Sequence, residues 1–404
     1  MKIIKDSIIY LFSELFSKAL PFLLLPYLTR KLGVAGFGEL SYWQTIFSLL
    51  LLIFSLSQEG AITRYYYFYG KRNLINVIYA SYLYTIFITT ITLTLAWLTQ
   101  SIILAITALA ATAQTFLNTQ LSIRQCQKQV WSYATIQIAS GLSTTIGTIL
   151  FLELTLNHLV EKRFLAIFIG NIAIFIISFF HFTTTISAKK FKFHLLNKSL
   201  LYILNFGLPL ILHQASYFIK GQLDRIFIYQ NFSLKELGIY TASYQIASFI
   251  SILLMAMNKA IVPYYYQALK TKKLGKNKVI KLSIIGLLVS PIPATIALFV
   301  PEFFFIWLLG EQYNGVHYYI ILFLIGFGLA IPYFILINYL FYYGDNKFIT
   351  LCSLSSSIIH IILLLLLIKI NIKLLPLSMI ISNTVLLFLL YWVIIKIKKT
   401  NHEY

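Results

Sequence analysis

Phe348-Ile349-Thr350-Leu351-Cys352-Ser353-Leu354-Ser355-Ser356-Ser357-Ile358-Ile359-His360-Ile361-Ile362-Leu363-Leu364-Leu365-Leu366-Leu367-Ile368 runs for 21 residues without an Asp, Glu, Lys or Arg. Wound as an α-helix, such a stretch rises about 30 Å, the thickness of a bilayer's hydrocarbon. It is one of twelve. Comparable apolar runs occupy about 8–29, 40–62, 75–98, 101–122, 133–153, 164–187, 200–230, 238–262, 279–301, 316–342 and 374–396.

Composition agrees. The 404-residue chain is 59% hydrophobic and only 11% charged, against about 45–50% and about 25% for soluble domains. A single soluble globule is excluded, and twelve spans leave only short connections. The expected fold class is an all-α polytopic membrane protein.

The net charge of +20 would suggest nucleic acid in a soluble protein. Here the basic residues fall on alternate connections, as the positive-inside rule requires. Twenty-one lie on one side: Lys2, Lys5, Arg64, Lys71, Arg72, Arg124, Lys128, Lys189, Lys190, Lys192, Lys198, the cluster Lys270 to Lys281, Lys347, Lys396, Lys398 and Lys399. The other side holds seven: Arg30, Lys31, Lys162, Arg163, Lys235, Lys369 and Lys373. This asymmetry places both termini in the cytoplasm, makes the Lys270–Lys281 run a topology signal that also attracts anionic lipid, and removes the case for nucleic acid. The start of the chain is superficially like a signal peptide, but Glu14 and Lys18 interrupt its apolar region, so a retained first helix is expected.

Recognisable catalytic chemistry is lacking. There is no G-x-x-x-x-G-K, H-E-x-x-H, C-x-x-C or G-x-S-x-G, so neither an enzyme nor a cofactor or metal site is expected. Cys126 and Cys352 are far apart in sequence, and His213 and His360 read as hydrogen-bonded packing residues.

Shifting the sequence by 200 residues aligns Phe37-Gly38 with Leu237-Gly238, Ile46 with Ile246, Ser48 with Ser248, and Tyr65-Tyr66 with Tyr265-Tyr266, without a gap. The shift carries spans one and two onto seven and eight in the same direction. The expectation is two pseudo-symmetric six-helix lobes, 1–198 and 199–404, facing a central cavity. Tyr65-Tyr66-Tyr67 and Tyr264-Tyr265-Tyr266 read as an interfacial aromatic belt, with sugar stacking as the other reading. Prolines at 21, 26, 209, 263, 291, 293 and 332 lead us to expect broken or bent helices.

Eight ionisable residues lie within or at the ends of spans one, two, seven and eight: Glu14, Lys18, Glu59, Arg64, Lys220, Asp224, Arg225 and Lys259. Each costs about 2.5–3.5 kcal/mol in lipid even on a lenient scale, so they are expected to face a cavity. Lys18 and Lys220 are near mid-span, where a stem of roughly 6 Å cannot reach across a half-thickness of roughly 15 Å. Glu14/Lys18 and Lys220/Asp224 are four apart and can neutralise one another. Net positive charge then remains for an anionic cargo head, through Lys18, Lys220, Arg225, Arg64 and Lys259 as substrate-binding residues. Glu14, Glu59 and Asp224 are left for coupling or gating, with Glu59 and Lys259 occupying equivalent positions in the repeat.

The run Pro21-Phe22-Leu23-Leu24-Leu25-Pro26-Tyr27-Leu28-Thr29-Arg30-Lys31-Leu32-Gly33, then Gly36-Phe37-Gly38, resembles the start of Wzx-type polysaccharide flippases. These belong to the multidrug/oligosaccharidyl-lipid/polysaccharide (MOP) exporter superfamily. Leu223-Asp224-Arg225-Ile226-Phe227-Ile228 and Leu237-Gly238-Ile239-Tyr240-Thr241-Ala242-Ser243-Tyr244-Gln245 are similar to the start of that family's second lobe. The resemblance covers essentially the whole chain. It implies a bacterial inner-membrane flippase for undecaprenyl-pyrophosphate-linked oligosaccharide, O-antigen or capsular, working by alternating access. It admits a polysaccharide polymerase and a chain-length regulator as partners. The alternatives are a drug/cation antiporter of the same superfamily, a membrane-embedded polymerase and a non-transporting scaffold. Antiport and uncoupled transport stand side by side.

Overall fold

In hydrocarbon every backbone N–H and C=O must find its partner within the protein, and the apolar runs meet that demand as helices. The computed structural model describes residues 2–185 and 195–396, and among them there is no strand. The basic residues Lys189, Lys190, Lys192, Lys398 and Lys399 lie outside the described residues.

Fifteen α-helices follow in order: α1 (Lys2–Ser55), α2 (Gln58–Phe68), α3 (Leu74–Leu98), α4 (Ile102–Cys126), α5 (Val130–Leu154), α6 (Leu159–Thr185), α7 (Leu196–Asn231), α8 (Leu234–Lys270), α9 (Lys276–Val289), α10 (Ile292–Leu298), α11 (Glu302–Leu309), α12 (Val316–Gly328), α13 (Ala330–Tyr343), α14 (Asn346–Leu367) and α15 (Pro376–Lys396). Ten stretches among the described residues are long and apolar enough to cross a membrane. The first, Ile8–Phe68, has 61 residues, more than two crossings need, and leaves helical geometry at Gly33 (φ 66°, ψ 177°). Counting its two arms separately and adding the charged α7 gives the twelve stretches read from the sequence. The protein is an all-α, multi-pass membrane protein.

Prolines interrupt fewer helices than expected. Pro291 and Pro293 sit at the break between α9 and α10, whereas Pro21, Pro26, Pro209 and Pro263 lie inside continuous helices.

The chain divides into two compact units, Met1–Leu32 with Tyr42–Ala215, and Gly33–Ser41 with Ser216–Tyr404. In the first unit α4 packs against α2, α3, α5 and α6. Its buried face is made of small residues, including Ala108, Ala110, Ala111, Ala113 and Thr115, which let neighbouring backbones approach closely. Large side chains such as Phe87, Trp131 and Phe180 are exposed instead, the reverse of a soluble protein. In the second unit α8 packs on α12, α9 on α13, and α15 on α12 and α14.

Arg124 was counted above among the cytoplasmic loop charges, and the structure corrects this. It is fully buried in the last turn of α4, where its guanidinium donates to Gln129 Oε1 (3.1 Å) and to the Ser178 carbonyl (3.0 Å). A cation at a helix C-terminus is favourable, and here it ties α4 to α6. Two residues assigned to the opposite loops are also engaged. Lys31 pairs with Glu153 at 2.8 Å, and Arg163 donates to the Thr144 carbonyl (3.2 Å) and the Thr148 hydroxyl.

The segment Gly33–Ser41 belongs to the second unit although both its flanks belong to the first. A Cβ on Gly38 would lie 2.0 Å from the Leu234 carbonyl oxygen, and one on Gly238 would lie 2.1 Å from that of Val34. Val34 and Leu234, like Gly38 and Gly238, are 200 residues apart, so the contact is reciprocal under the shift that relates the two halves of the sequence. Tyr313 closes it from the side: its ring packs edge-on against Phe37 with centroids 6.5 Å apart.

Because the obstructing atoms are backbone, Gly38→Ala and Gly238→Ala should each cost about 1–3 kcal/mol through overpacking. Thermal unfolding of the purified protein should show both losses, with none for Gly147→Ala, where the nearest atom, on the Ala166 side chain, lies at an ordinary contact distance of 3.6 Å. Arg124→Ala should cost about 1.5–3 kcal/mol, the range for hydrogen bonds to a charged group, seen as a lower midpoint in the same assay.

Candidate functional site

The first unit contains a cavity of about 800 Å³, within the range of small-molecule sites. Of its fourteen lining residues only Gly60, Phe68 and Leu121 lack a polar side-chain group. Glu14 and Lys18 enter from α1, Glu59, Thr63, Arg64 and Tyr67 from α2, Asn118, Ser122 and Gln125 from α4, and Tyr133 and Gln137 from α5.

Four of the eight ionisable residues singled out in the sequence meet here. Lys18 Nζ lies 2.6 Å from Glu14 Oε1, so the expected i,i+4 pair is formed. Glu59 is exposed and lines the cavity beside Asn118. Arg64 is also exposed, with its guanidinium carbon 5.2 Å from the Phe68 ring centroid and 5.8 Å from those of Tyr69 and Phe206. The Tyr202 hydroxyl donates to the Ala61 carbonyl at 3.1 Å. The aromatic rings hold this guanidinium in place and leave donors for a ligand. Two acids and two bases cancel, so the cavity is formally neutral.

Lys220, Asp224, Arg225 and Lys259 belong to the second unit. Among the described residues no ion pair joins Lys220 to Asp224, against the expectation from their spacing. Lys220 Nζ instead donates to Asn383 Oδ1 at 3.2 Å. Asp224 is buried and accepts from the Tyr240 hydroxyl and, at 2.9 Å, from the Arg225 backbone N–H. Arg225 is buried too, its guanidinium carbon 4.7 Å from the Tyr244 centroid. Lys259 is exposed on α8. His360 is buried with Nδ1 3.4 Å from Ser382 Oγ, in keeping with a packing role. The side chain of His213 lies outside the described residues.

The tyrosine runs divide by position. Tyr65 and Tyr66 pack against the buried cluster around Ile62 and Ile78, while Tyr67 lines the cavity. Tyr265 donates to the Ile335 carbonyl at 2.8 Å, and Tyr264 is exposed.

A scan for ionisable residues missed Asn118, Gln125, Gln137 and Tyr133. The available signal was the carboxamides of Asn118 and Gln137 within apolar runs, since an uncharged amide in lipid also needs a partner.

Residues 3–269 match the model of the polysaccharide biosynthesis protein family. A Haemophilus influenzae protein of the Lsg locus is 51% identical over 400 residues, covering 99% of this chain and 100% of the relative. An uncharacterized membrane protein of the same organism is 46% identical over 361 residues, covering 89% of each. The inward-facing structure of a multidrug resistance MATE family transporter of the MOP superfamily superposes with a TM-score of 0.72 at 14% identity, over 94% of this chain and 97% of that one. The lipid II flippase MurJ in its inward closed conformation gives 0.59 at 15% identity, over 97% and 87%. Identities this low speak of fold alone. With two thirds of its length matched by the family model and half its residues shared with a full-length relative, this chain belongs to the polysaccharide biosynthesis protein family and has the fold of MOP superfamily transporters.

Proposed function

We propose that the protein is a flippase that moves undecaprenyl-pyrophosphate-linked oligosaccharide repeat units, O-antigen or capsular, from the cytoplasmic to the periplasmic leaflet of the bacterial inner membrane. The observation that carries this reading is the first-unit cavity, lined by charged and amide side chains, inside a bundle whose outer surface is apolar. A polar head enters such a cavity while its prenyl tail stays in lipid. Family membership points the same way.

In this reading the lobes 1–198 and 199–404 rock about the cargo, and both termini are cytoplasmic. Lys18, Arg64, Lys220, Arg225 and Lys259 offset the pyrophosphate, with Arg64 suited to bidentate contact with phosphate oxygens. Glu14, Glu59 and Asp224 serve coupling or gating. A polysaccharide polymerase and a chain-length regulator act on the product.

The second reading, a drug/cation antiporter, draws on the carboxylates Glu14 and Glu59 in the cavity and on the MATE-like fold. Lys18 and Arg64 in the same cavity weigh against it, since they repel a cation.

The test is translocation of labelled undecaprenyl-pyrophosphate oligosaccharide in proteoliposomes at equal protein insertion. The parent should transport, and Arg64→Ala, Lys18→Ala, Lys220→Ala and Arg225→Ala should each lower transport by about tenfold or more, the worth of one charged hydrogen bond. A well-inserted parent that moves none of the glycolipid, yet exchanges a cationic drug for protons or sodium, would establish the antiporter instead.

A further inference from the structure

Behind the first-unit cavity lies a chain of hydrogen bonds that crosses three helices and runs in one direction. Ser140 on α5 donates its hydroxyl to Asn171 Oδ1 on α6 (2.8 Å). Asn171 Nδ2 donates to Gln114 Oε1 on α4 (2.7 Å), and Gln114 Nε2 donates to Asn118 Oδ1 one turn further along (2.8 Å). Asn118 then meets Glu59 at the cavity wall, which both side chains line. Asn118 Oδ1 is already engaged by Gln114, so its Nδ2 is the atom left to face the carboxylate. Asn171 is fully buried and Ser140 nearly so, hence water cannot substitute for a broken link.

An amide offers one donor end and one acceptor end, and here every link hands a donor toward Glu59. Such a series polarises along its length and turns a donor toward Glu59. A carboxylate met in this way can receive hydrogen bonds from a ligand. The rest of the cavity fits the same task. Its formal charges cancel, with Lys18 closed onto Glu14, and Gln125, Gln137 and Tyr133 add neutral donors and acceptors around the carboxylate.

We propose that the Ser140–Asn171–Gln114–Asn118 chain is a positioning relay that holds Glu59 as a hydrogen-bond acceptor, and that Glu59 and the cavity amides read hydroxyl donors of the cargo's saccharide head. The proposal rests on the flippase reading and gives Glu59 the role of a recognition residue in place of a coupling one. Pyrophosphate is left to cations such as Arg64.

The relay has a polarity that can be reversed. In Gln114→Glu a protonated Glu side chain preserves the order, its C=O accepting from Asn171 and its O–H donating to Asn118. Once ionised it accepts at both ends, so Asn118 must turn its N–H toward it and present Oδ1 to Glu59, repelling the carboxylate. The titratable and charged groups around Glu59 are untouched by this change: Glu14 and Lys18 on α1, Arg64 and Tyr67 on α2, Cys126 on α4 and Tyr133 on α5. Tyr82 on α3 is occupied by Gln120 at 2.8 Å.

Half-saturating glycolipid concentrations for transport are therefore to be measured in proteoliposomes at about pH 5.5 and about pH 8. The variant should need about tenfold more glycolipid at the higher pH, one hydrogen bond to a charged group, while the parent shifts little. Undecaprenyl pyrophosphate without sugar, used as competitor, should inhibit parent and variant alike. Should Gln114→Glu insert poorly, Asn118→Asp sets two carboxylates face to face and predicts the same acid shift. An unchanged pH profile in an active, well-inserted variant overturns the relay and leaves the flippase standing. Altered competition by the sugar-free lipid overturns the saccharide assignment. A parent that moves no glycolipid removes both readings together.

Discussion

A polar group in hydrocarbon has no water to fall back on, and each one left unpartnered costs several kcal/mol. This constraint governs the molecule at every scale. It forces the backbone into helices, turns Phe87 and Trp131 outward and Ala110 and Thr115 inward, and requires each intramembrane charge to be answered locally. Lys18 is answered by Glu14, Lys31 by Glu153, Arg124 by Gln129 and the Ser178 carbonyl, and Asp224 by Tyr240.

The spans were legible because one helix crossing the bilayer needs a run of apolar residues, and no tertiary knowledge is required to find it. The 200-residue shift was legible too, and the reciprocal packing of Gly38 on Leu234 and Gly238 on Val34 gives it a physical meaning. Arg124 was misread because a basic residue at the end of an apolar run looks the same whether it points to water or back into the bundle. The i,i+4 rule succeeded for Glu14 and Lys18 and failed for Lys220 and Asp224. Spacing says which side chains share a face, but in α7 a neighbouring helix offered each a better partner, Asn383 and Tyr240.

The candidate site was half legible. Charges stand out against an apolar background, so Glu14, Lys18, Glu59 and Arg64 could be named from the sequence. Their net effect could not, because the sum depends on which of the eight share a cavity, and these four cancel. The amides were invisible for a related reason. Gln114, Asn118 and Asn171 acquire a common purpose only when α4 lies beside α6, and no periodicity within either helix announces that pairing.

The allocation of Gly33–Ser41 to the second unit bears on how the protein is made. These nine residues leave the ribosome early, yet the surfaces that receive them, Leu234 to Gly238 and Tyr313, are synthesised some 200 to 280 residues later. At 5–20 residues per second the delay is roughly 10 s to a minute. During that interval the backbone at Gly38 has no docking partner, and the N-terminal helices must hold their insertion without it. Biogenesis of the first half is thus completed by the second, and the order of synthesis is opposite to the order in which this part of the fold can close.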